Sequence, residues 1–223
     1  MMHQDVLMRQ VQQAAQAIAQ LLMHRRNGQP DEALTVAHEA LQLHFDLRAD
    51  ALRTYTYGHL AERFRFDTDA HADRARTLSD LLLHLGELRR VQDHGDALHP
   101  LRLALRLELD RAEHARRPLH TTDRIDRRAR PLTADVLPPE TLRLLVAQYT
   151  RAGQFAEAEN WLFRWAKAAP PSDAPALAAA GEAFYTHLRA QPDDALAAGN
   201  LPRAEVAEGA EAFATHLNRL QAA

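Results

Sequence analysis

Thr141 to Pro171 reads TLRLLVAQYTRAGQFAEAENWLFRWAKAAPP, and this stretch decides the fold. Leu142, Leu145, Val146 and Tyr149 recur at helical spacing, and Phe155, Ala158, Leu162 and Trp165 do the same beyond Ala152-Gly153-Gln154. Gly153 can supply the left-handed backbone that ends one helix so that the next can start. Two antiparallel helices joined so tightly cannot bury their faces alone, so stacked neighbours are implied.

The rest of the chain reads the same way, with no convincing alternation of β-branched residues. A first helix is expected over Asp5–Arg26, ended by Asn27-Gly28-Gln29, and a second from Pro30 to Phe45. Residues 48–66 look helical but broken around Gly58. Long helices are expected over Ala70–Gln92, with Leu78, Leu81, Leu82, Leu85 and Leu88 as the apolar stripe, and over Ala97–Arg116. Residues 117–138 hold prolines and charge with little periodicity, and read as a long loop. Further helices are expected over Ser172–Arg189 and from Pro202 to Leu220. The expected fold is all-α: about seven to nine helices in stacked antiparallel hairpins. Its parts are an N-terminal helical region 1–116, a loop or linker 117–138 and a C-terminal region 139–223, expected to form one continuous helical domain.

Composition excludes several classes. The 223 residues are 46% hydrophobic and 26% charged, ordinary for a globular chain. A net charge of −3 supplies no global field for nucleic acid, and the 27 basic residues are all arginine except Lys167. No cysteine is present, which removes disulfides, thiolate nucleophiles and cysteine metal sites. The N-terminus does not read as a secretory signal, and no stretch reaches about 18 uncharged apolar residues, the length that a membrane span needs, so neither is expected. A cytoplasmic protein without membrane contact is the expectation.

Two segments resemble tetratricopeptide repeats (TPR). In the second, Leu145, Tyr149, Gly153, Phe155, Ala158 and Pro170 fall at the family's spacing, with Trp165 where an alanine is usual. In the first, Gly28, Ala33, Ala40 and Leu41 match, with His24 where an aromatic is usual. The chain as a whole is similar to an uncharacterised family of bacterial helical proteins, through DVLMRQVQQAAQAIAQLL, AGQFAEAENWLF and GNLPRAEVAEG. The repeat resemblance implies a stacked-helix scaffold that holds a peptide or protein partner.

Three places invite a role. Phe155, Ala158, Trp161, Leu162, Phe163 and Trp165 form an apolar arc wider than one packing seam needs. Either it is buried on two sides, or Trp161, Phe163 and Trp165 line a partner groove. Residues 102–130 hold nine arginines and five acids, read as a salt-bridged surface or as an acidic-partner site carried by Arg124, Arg127 and Arg128. No aromatic interleaves them to stack bases, so specific nucleic-acid binding is not expected. The first helix carries Gln4, Gln10, Gln12, Gln13, Gln16 and Gln20 with hardly any charge. That face is either plainly solvated or a homodimer seam through Gln10, Gln13, Gln16 and Gln20.

Catalysis and metals find little material. The 13 histidines form no HExxH and no recognisable zinc spacing. Asp67, Asp69, His71 and Asp73 alternate, but the loop lacks the calcium loop's glycine, and Leu78 stands where its glutamate belongs. A helix N-terminus rich in acids explains them better. His94 and His99 flank a turn. Neither Ser79 nor Ser172 lies in GxSxG, no phosphate-binding glycine loop is present, and Asp193-Asp194 reads as a turn or cap. The expectation is a non-catalytic interaction scaffold without cofactor, binding a protein or peptide through a TPR-like helical groove; a homodimeric assembly protein is the alternative, and an enzyme with an unrecognised site the third reading.

Overall fold

The computed structural model describes residues 2–64, 68–93, 96–114 and 122–222, with the side chains of residues 2–4 excepted. Among the described residues there are eleven α-helices and no strand: α1 (Met2–Arg26), α2 (Pro30–Phe45), α3 (Tyr57–Arg63), α4 (Asp69–Val91), α5 (Leu98–His114), α6 (Thr122–Ala129), α7 (Pro139–Arg151), α8 (Phe155–Ala168), α9 (Ala174–Arg189), α10 (Asp193–Ala198) and α11 (Arg203–Gln221). Beyond the expected helices stand two short ones that propensity alone does not announce, α6 and α10, while α3 lies in the stretch expected to be helical but broken. No helix among the described residues is long and apolar enough to cross a membrane.

The chain divides into two compact units. Met1–Arg116 with Arg124–Pro131 make the first, and Arg117–Asp123 with Leu132–Ala223 the second. The first is organised around α4, which packs against α1, α2 and α5. Leu78, Leu81, Leu82, Leu85 and Leu88 are buried as the spacing predicts, but so are Ser79, Leu83, His84 and Gly86. A helix buried nearly all round occupies the centre of its unit. Gly86 lets α5 come close: a Cβ there would stand 2.5 Å from the Leu101 side chain.

The second unit is built from the α7–α8 hairpin with α9 and α11 packed on it. Gly153 has φ +72° and Gly28, at the α1–α2 turn, +70°, so both glycines end a helix as the sequence predicts. Ala33 and Ala158, five residues after each glycine, are fully buried, which is what a small residue at a helix–helix approach provides. The long loop expected over 117–138 is corrected where it is described. Residues 122–129 form α6, and Ala134–Val136 form a 3₁₀ turn. Ile125, Arg128 and Ala129 share the buried side of α6, so its periodicity is carried partly by arginine, which a purely apolar pattern overlooks. Residues 117–121 of that segment lie outside the described residues.

Candidate functional site

The densest polar cluster lies in the first unit, where α4, α5 and α6 meet. Glu108 of α5 is 0% exposed and Arg128 of α6 only 1%. Arg111 donates from Nη2 to Glu108 Oε1 at 2.6 Å, and Arg124 donates from Nε to the same oxygen at 3.2 Å. Asp80 of α4 accepts from Arg124 Nη2 at 2.9 Å and from Arg128 Nη2 at 2.5 Å. Arg128 also donates from Nε to Ser79 Oγ at 2.7 Å and from Nη1 to the Arg124 carbonyl at 2.9 Å. Ser79 in turn donates to the Ala104 carbonyl at 2.8 Å. Arg124 and Arg128 reach the cluster together because residues four apart share a helix face.

The electrostatics fit a closed network. Burial alone would push the Glu108 carboxyl up, but Arg128, Arg111 and Arg124 outweigh it and hold it below the ordinary carboxylate range. Asp80 behaves alike, with burial outweighed by Arg128 and Arg124. Burial dominates at Arg128 and moves its guanidinium down from the usual arginine range. These arginine hydrogen bonds end on acceptors inside the fold, so the cluster ties α4, α5 and α6 together. Arg128 is thereby enclosed, with 1% of its side chain exposed, whereas Arg124 keeps 26% exposed. Arg127, on the other side of α6, is exposed. The sequence signal for the cluster was the interleaving of acids with arginines. Asp80 and Ser79 were missed because they stand more than forty residues away in the chain.

The aromatic arc of α8 is also largely interior. Trp161 is 2% exposed and Trp165 1%, so both belong to the core rather than to an open groove, which corrects their assignment to a partner site. Neither indole N–H has a hydrogen-bond partner among the described residues. Phe163 is half-buried and meets Phe213 of α11 edge-to-face, with ring centroids 6.0 Å apart. The arc is wide because α8 packs on α7, α9 and α11 at once. Beside it, Tyr185 donates to Glu159 at 2.8 Å. Burial pushes the Glu159 carboxyl up, the Tyr185 hydrogen bond opposes this, and Glu205 adds to the rise.

The other candidates resolve into local structure. Thr68 caps α4 by accepting from the His71 amide at 3.2 Å, consistent with a helix N-terminus at Asp69, His71 and Asp73. Asp67 and His94 lie outside the described residues. Among the described residues no group of three or more histidine, aspartate or glutamate side chains could hold a metal ion. His99 meets the Tyr55 carbonyl at 3.1 Å through Nε2. Asp194 accepts from the Ala195 amide at 2.9 Å, and Asp193 pairs with Arg203 at 2.8 Å.

What remains open is the outward side of α1. Leu7, Ala14 and Leu21 are buried on its inner side, which packs on α2 and α4. Gln12, Gln13, Gln16 and Gln20 are exposed, whereas Gln10 is half-buried at the edge of the packed side, and Gln4 is outside the described side chains. Met8 and Met23 stand 38% and 52% exposed on the same helix. Between Val6 and Met23 the only formally charged residue is Arg9. Compare α11, whose exposed positions include Arg203, Glu205, Glu208, Glu211 and Arg219. The two helices are similar in length and each exposes one side, but the exposed charges of α1 lie at its ends, Arg9 apart, whereas those of α11 run along it.

No curated protein and no solved structure matches the chain. A family of unknown function, DUF6483, matches residues 1–218, nearly the whole length. The chain therefore belongs to the family of unknown function DUF6483.

Proposed function

We propose that the protein is a non-catalytic interaction scaffold whose α1 docks, by its outward side, against a helix of another protein chain. One observation carries the reading: between Asp5 and Arg25 this 25-residue helix exposes amides, alanines and two methionines with one charge, Arg9, where a solvated helix exposes several. Uncharged amides cost less to desolvate than charged groups, and methionine adapts to an irregular surface. The α1–α2 and α7–α8 hairpins are read as TPR-like units, with Gly28 and Gly153 at their turns and Ala33 and Ala158 at their close approaches. The partner is taken as a protein, because helix faces of this composition are read by other helices.

The test is a photoreactive benzoylphenylalanine placed at Gln16 in the living cell, with the same residue at Glu208 on the charged outer side of α11 as the control. The reading predicts a discrete covalent adduct with a protein chain at position 16 and none at 208. Absence of any adduct at 16 contradicts it.

A further inference from the structure

We infer that the occupant of the outward α1 face is α1 of a second copy of this chain, running antiparallel and centred between Ala15 and Gln16. This inference rests on the reading of that face as an interaction surface and names its partner. Asp5, Met8, Gln12, Ala15, Gln16, Ala19, Met23 and Arg26 are all exposed and follow one another at steps of three and four, apart from the adjacent Ala15 and Gln16. They therefore share one side of the helix.

The stripe is complementary to its own reverse. When two copies run antiparallel about that centre, Asp5 of each lies level with Arg26 of the other. Met8 lies level with Met23, Gln12 with Ala19, and Ala15 with Gln16. Opposite charges meet at both ends, apolar side chains meet inside them, and the middle holds alanines small enough for close approach beside amides that can pair. Neither Asp5 nor Arg26 has an ion-pair partner within its own chain among the described residues. A parallel pairing would set Asp5 against Asp5 and Arg26 against Arg26, a like-charge contact at each end of the stripe. The helix dipoles also favour the antiparallel arrangement, since the positive N-terminal end of each helix then lies beside the negative C-terminal end of the other.

The chain has no cysteine, so introduced thiols report without background. Met8→Cys and Met23→Cys replace exposed side chains. On one helix these positions are fifteen residues apart, about 22 Å, far beyond disulfide reach. Mixed Met8→Cys and Met23→Cys chains should oxidise to a heterodisulfide, and the double variant to a doubly linked dimer. Either single variant alone should stay unlinked. Light scattering should give a dimer mass for the native chain. Ala15→Arg/Gln16→Arg should weaken the dimer at least about tenfold with helicity unchanged. Homodisulfides in the single variants would overturn the antiparallel register. A monomer mass at all concentrations, with no heterodisulfide, would overturn the second copy as occupant. In that case an adduct at position 16 with a different protein would leave the interaction reading standing, and no adduct at all would remove both.

Discussion

Arg128 illustrates how a surface-type residue becomes structural. Its guanidinium is buried with Glu108 and Asp80, and the network holds three arginines, Arg111, Arg124 and Arg128, against those two carboxylates. Deleting either sign is not equivalent. Glu108→Gln leaves three cations facing one anion, and should cost about 3–5 kcal/mol, as when a buried ion pair loses one partner. Arg128→Met leaves two against two and fills the space with an apolar chain, so it should cost less. Urea denaturation of the two variants checks the order. Trp161 belongs to the same scale. Trp161→Ala should cost about 3–5 kcal/mol as a core truncation, whereas Trp161→Phe sacrifices no hydrogen bond because its N–H makes none.

Two glutamates make opposite statements about pH. Glu87 bonds to His84 and Arg25, and, with burial opposing, its carboxyl falls from the ordinary 4.5 to about 2. Its stabilising effect is therefore fully present above the ordinary value and is lost as pH falls toward 2. Glu87→Gln should be less stable than the native chain at pH 7 by about 1 kcal/mol, given its partial exposure. The difference should vanish near pH 2. Glu159 is raised instead, so its folded form holds the proton more tightly, and stability declines as pH rises through the folded pKa. Glu159→Gln keeps an acceptor for Tyr185 and should gain up to about 1 kcal/mol at pH 7, with no gain near pH 4. Denaturation midpoints at the two pH values read both effects.

Among the elements, those built on apolar periodicity or on glycine were legible, and those built on partly polar faces were not. The α7–α8 hairpin follows from Leu142, Leu145, Val146 and Tyr149 on one helix, Phe155, Ala158, Leu162 and Trp165 on the next, and Gly153 between them. Gly153→Ala should cost about 1–2 kcal/mol, because an L side chain resists the left-handed region. Gly181 of α9 could not be read as special, since its reason is a neighbour in space: a Cβ there would stand 2.1 Å from the Phe213 ring. Gly181→Ala should cost about 1–3 kcal/mol through overpacking, partly recovered by Phe213→Leu. Thermal melts of the single and double variants measure this coupling. α6 escaped for a related reason: arginines fill part of its buried side, and their partner Asp80 comes from a helix far away in sequence.

At the scale of the molecule, the all-α class was legible because helical periodicity runs through nearly every segment. The candidate sites were legible only as residue types. Trp161, Trp165, Arg124 and Arg128 stand out by residue type, but a sequence does not say which side of an aromatic or a guanidinium meets solvent. The glutamine side of α1 kept its exposure because its inner side already supplies Leu7, Ala14 and Leu21 to the core. The central claim is that this outward side is covered by another chain. Methionine oxidation tests it directly, because Met8 and Met23 stand on that side. Brief peroxide treatment of cells producing the chain, followed by peptide mass spectrometry, compares the native protein with Ala15→Arg/Gln16→Arg. Both methionines should oxidise more slowly in the native protein. Equal rates in the two proteins would contradict it.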